Sequence, residues 1–139
     1  MIDRATGRIL LEGETPLTVD PGLTRTDFLK ATSGRQVKLL VENGPWETYS
    51  ISCCILNQDW VSGFCFKGET LHMVDMALAT GAKNWSDWSE EKERRKLAEH
   101  DELLKAMLGS PPYSFAWGRV ESSFDRKSGG SCVSMRYRY

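Results

Sequence analysis

Residues 35–79 carry four apolar runs of strand length, at 37–41, 46–56, 60–66 and 70–78, separated by three short polar turns. The turns are built on Asn43-Gly44-Pro45, Asn57-Gln58-Asp59 and Lys67-Gly68-Glu69. Strands joined by turns this short argue for an antiparallel meander with one solvated face. Asn-Gly is a strong hairpin signal, although the proline behind it disfavours a minimal two-residue loop. In the fourth run Leu71, Met73 and Asp75 alternate with His72, Val74, Met76 and Leu78. Two-residue periodicity therefore sets the first group on one face and the second on the other.

The flanks supply the helices. Thr24 stands three residues before Asp27, close to a capping box, and Phe28, Leu29 and Ala31 give a short apolar face that Gly34 ends. A helix this short needs tertiary packing to persist. A longer helix begins near Ser86 or Asp87, which can cap it, and runs to Leu108, where Gly109-Ser110-Pro111-Pro112 stops it. The chain closes on a hairpin, with Val133, Met135, Tyr137 and Tyr139 alternating against Cys132, Ser134, Arg136 and Arg138. Ahead of the meander, residues 2–11 read as a short hairpin or a strand with a kinked lead-in at Gly7. The expected fold is a single α+β domain over residues 1–139. It holds an antiparallel meander sheet of about six strands, one short N-terminal helix and one long helix before a C-terminal hairpin.

Charge narrows the partners. The formal net charge is −1, so nothing here resembles the clustered Lys and Arg that bind nucleic acid or an anionic membrane surface. Arg136-Tyr137-Arg138-Tyr139 interleaves basic and aromatic residues, but alternation sends the two kinds to opposite faces. The N-terminus has no apolar signal-peptide core, and no run reaches the ~20 apolar residues of a membrane span, which points to a cytosolic protein.

No residue pattern names a reaction. There is no G-x-S-x-G elbow, no P-loop, no His-x-x-x-His and no C-x-x-C, so no catalytic residue, cofactor or metal is expected. The four cysteines, Cys53, Cys54, Cys65 and Cys132, read as small core residues. A metal site joining Cys54, Cys65 and His72, or an unfamiliar catalytic site using Cys65, His72 and Asp75, is the alternative. His100 falls on one helical face with Leu97, Leu104 and Leu108, where a histidine is ordinarily a packed boundary residue. Trp60 and Trp117 read as core residues.

The long helix is the most informative segment. Residues 89–96 contain no apolar side chain, and Glu90–Arg94 and Glu91–Arg95 are i,i+4 pairs in the favourable order. Its first half is expected to stand in solvent while the second half docks. Trp85 and Trp88 flank Asp87 at its start, and Trp and Arg dominate binding hot spots. Trp85, Asp87, Trp88, Glu90, Glu91, Arg94 and Arg95 form the expected partner-binding surface.

Two segments, Leu23-Thr24-Arg25-Thr26-Asp27-Phe28-Leu29 and Trp117-Gly118-Arg119-Val120-Glu121-Ser122-Ser123-Phe124-Asp125, set in this order of elements, resemble small bacterial immunity proteins of polymorphic-toxin and type VI secretion systems. That resemblance implies a cytosolic binding module that neutralises a cognate protein toxin by direct contact. It transfers no binding residues, and the near-neutral charge departs from the acidic surface of an inhibitor of a basic nuclease. A homodimer formed through an edge strand or the long helix is the structural alternative.

Overall fold

A computed structural model describes residues 2–12, 16–79, 89–125 and 130–138. Its order is β1 (Ile9–Leu11), β2 (Leu17–Val19), α1 (Arg25–Ala31), β3 (Lys38–Asn43), β4 (Trp46–Ile55), β5 (Gln58–Lys67), β6 (Thr70–Leu78), α2 (Glu90–Leu108), β7 (Tyr113–Phe115), β8 (Gly118–Asp125) and β9 (Gly130–Tyr137). Seven strands form one antiparallel sheet ordered β3-β4-β5-β6-β9-β8-β7, and β1 and β2 pair separately. The α+β antiparallel plan holds. The main sheet has seven strands in place of about six because β7, of three residues, is too short to display a period.

The expected turns form with two corrections. The one expected at Asn57-Gln58-Asp59 shifts to Leu56-Asn57, because Gln58 and Asp59 already pair with Ile55 and Cys54. Asn43 pairs with Trp46, so Gly44-Pro45 is a minimal two-residue loop despite the proline. Gly44 takes φ +59. A positive φ at the first loop position is the type II′ requirement, and the second position donates no ladder hydrogen bond, so Pro45 is tolerated. Between β4 and β5 the loop is Leu56-Asn57, both at positive φ.

One face of the sheet is buried. A row of side chains, Tyr49, Phe64, Val74, Met135, Val120 and Tyr113, crosses six strands in register. α1 lays Phe28 on this face, 4.9 Å from the Phe64 ring and 5.3 Å from Phe66. Phe28 is fully buried, a contribution of about 2 kcal/mol. Thr24 caps α1 by accepting from the Asp27 amide, as the sequence predicts, but the helix ends at Ala31, ahead of Gly34. Its start is fixed by charge. Arg25 donates to Glu47 at 2.5 Å, and Glu69 accepts from both the amide and the hydroxyl of Thr26. Glu47 also accepts from Tyr49, and the two bonds, that of Tyr49 first, hold its carboxyl below the usual range.

β1 and β2 cover the same face with Ile9, Leu11 and Val19. Gly7 lies under the Trp117 ring, where a Cβ would come within 2.6 Å, and its carbonyl accepts from the Tyr137 hydroxyl. Trp117 is half-buried by this contact, whereas Trp60 is fully in the core.

A bulge changes which residues face the core. Cys65 pairs with Met73 but Phe66 pairs with Leu71, so His72 is an extra residue on β6. The insertion reverses the alternation at that point. Leu71 therefore joins Val74, Met76 and Leu78 in the core, against the strict alternation read from sequence. The opposite face is left open by the described helices and carries mainly small or polar residues, including Thr48, Ser50, Gly63, Asp75 and Ser134.

Candidate functional site

α2 lies against β6, β8 and β9 on the buried face. Its cap is Ser89, whose hydroxyl accepts from the Lys92 amide, in place of the expected Ser86 or Asp87. Its docked stripe is His100, Leu104, Met107 and Leu108. His100 is fully buried, stacks on Trp60 with centroids 5.4 Å apart, and accepts the Leu78 amide at Nε2. Nδ1 therefore carries the proton of the neutral ring. Burial, helped by Lys96, lowers its pKa from 6.5 to about 4.

The first half of α2 does not stand free in solvent. Glu93 is buried and accepts the Ser131 amide at 3.1 Å, while the Ser131 hydroxyl donates to the Glu93 carbonyl at 2.7 Å. The Arg94 guanidinium lies over the Phe124 ring at 5.6 Å. An all-polar stretch can dock when its one inward acid finds a backbone donor. The outer flank matches expectation. Glu90–Arg94 and Glu91–Arg95 pair at 3.2 and 2.5 Å, and all four side chains are exposed. Trp85, Asp87 and Trp88 lie outside the described residues.

Further along, a cleft of about 770 Å³ opens between α2 and the sheet edge. Its origin is in the sequence. Tyr113 pairs with Val120, so an extension of β7 would set Pro112 opposite Glu121 and Pro111 opposite Ser122. Proline has no N–H to give a ladder. β7 stops after three residues, and among the described residues no strand pairs with the outer edge of β8 beyond Val120.

The floor of the cleft is Val120 and Ser122; its walls are Asp101 and Lys105 of α2 and the Pro111-Pro112-Tyr113 segment. The Ser122 hydroxyl is buried and has no hydrogen-bond partner among the described residues. Arg119 and Glu121 form a pair at 4.0 Å on the rim, and Arg138 donates to Ser114 at 3.0 Å. Burial, and then nearby Asp101, push the Tyr113 phenol up, so it remains a hydrogen-bonding hydroxyl at neutral pH. The site thus offers outward backbone donors and acceptors, one orphan hydroxyl and both signs of charge. Those features fit an extended peptide better than a uniformly charged ligand.

The alternative chemistry does not assemble. Cys54 pairs with Asp59 and Cys65 with Thr48, so about six residues of strand, roughly 20 Å, separate the two thiols. The Cys54–Cys65–His72 metal reading fails on that distance. His72 and Asp75 share the open face with Cys65 but use different partners. The His72 ring meets Trp46 edge-on at 5.1 Å, and Asp75 accepts from Ser134 at 2.7 Å. Cys53 is buried beside Ser62, and burial pushes its thiol up.

Asp101, Lys105, Tyr113 and Ser122 were not singled out in the sequence. The available signal was Pro111-Pro112, which reads as a helix terminator until strand register shows which ladder positions it removes. No described helix is long and apolar enough to cross a membrane. Compared with known protein families, curated proteins and solved structures, the chain finds no match in any of the three.

Proposed function

We propose that this chain is a protein-binding module whose cleft holds an extended segment of its partner, added as a strand to β8 in line with β7. The observation that carries this reading is the outer edge of β8, unpaired among the described residues, beside the buried Ser122 hydroxyl that has no partner among them, at the base of an open cleft. A buried hydroxyl without a partner costs about 1–3 kcal/mol, which a ligand supplying the missing bond recovers. An incoming strand also satisfies the edge amides and carbonyls of residues 121–124. The resemblance to immunity proteins supplies the partner class, a cognate protein toxin neutralised by direct contact. The exposed flank with Glu90, Glu91, Arg94 and Arg95 stands on the same helix and extends the contact surface beyond the cleft, together with Trp85, Asp87 and Trp88.

Co-expression with the product of each adjacent gene tests the proposal. A neighbour that co-purifies with the wild-type chain should be lost or weakened at least tenfold by Ser122→Leu, which fills the floor, and by Lys105→Glu, which reverses a wall charge. Both variants should keep the wild-type circular dichroism. Failure of every neighbour to bind, or a complex indifferent to both substitutions, refutes the reading.

A further inference from the structure

The cleft continues round the edge of β8 onto the open face of the sheet, where Arg119 and Arg138 form part of its lining. Arg119 stands directly opposite Arg136 across the β8–β9 ladder, and Ser114 of β7 stands opposite Arg119 on its other side. Arg138 follows Arg136 by two positions, just past the end of β9, and donates from Nη2 to the Ser114 hydroxyl at 3.0 Å. Burial fixes the facing of all three arginines. Val120, Met135 and Tyr137 are buried, so their strand neighbours Arg119, Arg136 and Arg138 turn to the other side, where each is exposed. Directly opposed Cβ atoms lie about 5 Å apart, and positions two apart on one strand about 7 Å, so the three guanidiniums can converge on one point.

This corner is poorly neutralised. Arg8, Arg25, Arg94 and Arg95 each have a carboxylate at 3.2 Å or closer. Arg119 has only Glu121, at 4.0 Å, and no described carboxylate forms an ion pair with Arg136 or Arg138. Asp75, in the next row of the same face, is engaged by the Ser134 hydroxyl. Like charges directly opposed across a sheet destabilise it, so the Arg119–Arg136 pair is a strain that a bound anion relieves.

We propose that this corner holds the phosphoryl group of a phosphorylated residue on the extended segment that occupies the cleft. The inference rests on the cleft reading and names the chemistry of its ligand.

Charge selects the group. Three guanidiniums against the one Glu121 carboxylate leave a local excess of two positive charges. A phosphorylated side chain carries about −1.5 to −2 at neutral pH and offers three strong acceptor oxygens, one for each guanidinium. A carboxylate brings a single charge and two oxygens, and leaves the corner positive. Continuity selects a peptide as the carrier. Arg119 and Arg138 belong to both the cleft and the corner, while Arg136 stands outside the cleft. A segment paired with β8 beyond Val120 has its inner end beside Arg119, and alternation turns every second side chain to the open face, where the corner lies.

An NMR titration of the full chain, read at the arginine Nε–Hε signals and the backbone amides, tests the proposal. The probes are inorganic phosphate and a short, terminally blocked polyalanine peptide in three forms, carrying one phosphoserine, one glutamate or one serine. The phosphoserine form should shift the signals of Arg119, Arg136 and Arg138 together with the amides of residues 121–124. It should bind at least about tenfold more tightly than the glutamate or serine form, and than inorganic phosphate. Arg136→Ala should remove that preference and leave the response of residues 121–124 to the serine form as in wild type, because Arg136 is no part of the cleft. Arg136 is exposed, so the variant should keep the wild-type melting transition. Lys38→Ala removes one exposed positive charge at the far margin of the sheet and should change nothing. A phosphoserine form bound no more tightly than the serine form, or a preference that survives Arg136→Ala, overturns this inference; if Ser122→Leu still abolishes the amide shifts, the cleft reading stands without it. Inorganic phosphate binding as tightly as the phosphopeptide, or shifts at the arginines without shifts at residues 121–124, would assign the corner to a free anion and also overturn it.

Discussion

His100 makes the stability of this domain depend on pH in a calculable way. Its ring is fully buried between Trp60 and α2, and Nε2 accepts the Leu78 amide, so the native state holds it neutral. Lys96 discourages protonation, while Asp101 and Glu93 oppose that effect weakly. The pKa falls from 6.5 in the unfolded chain to about 4 in the native one. The folded value is the lower, so below pH 6.5 the unfolded chain binds a proton that the native state refuses. The stabilisation is complete above pH 6.5 and is lost as pH falls toward 4, where the native ring also protonates. The slope approaches ~1.4 kcal/mol per pH unit, and the full loss is about 3 kcal/mol. Urea denaturation from pH 4 to 8 of the wild type and of His100→Gln measures it. Glutamine can still accept the Leu78 amide but does not titrate. The chain has only one other histidine, His72, which is present in both proteins and supplies a common background. The stability advantage of the wild type over His100→Gln should shrink by about 3 kcal/mol between pH 7.5 and pH 4. Parallel pH profiles, or an NMR titration placing the His100 imidazole near 6.5, would refute the reasoning.

Three further perturbations follow from single contacts. Glu93→Ala leaves the buried Ser131 amide without its acceptor and should cost about 1–3 kcal/mol in chemical denaturation, with faster exchange at that amide. Gly118→Ala places a Cβ 2.1 Å from the Arg136 carbonyl oxygen at φ +155, so a loss of at least about 3 kcal/mol is expected, and a melting temperature near wild type would refute this close approach. Ser89→Ala removes the α2 cap and should cost about 1 kcal/mol in thermal melting, and a melt equal to wild type would refute the cap.

The parts of the fold legible in the sequence are those with local causes. Alternation and turn glycines mark the strands β4, β5, β6 and β9, and Thr24 marks the start of α1. The parts that were not legible depend on a distant partner. The cap of α2 could fall on any of several polar residues, and Ser89 takes it in a helix that docks through Glu93 on Ser131, thirty-eight positions away. The bulges at Leu40 and His72 each insert one residue, and an insertion shows only when the neighbouring strand is known. The inserted His72 moves Leu71 into the core. The cleft has the same character. Pro111-Pro112 is visible in the sequence, but the emptiness of the β8 edge follows only from the Tyr113–Val120 pairing.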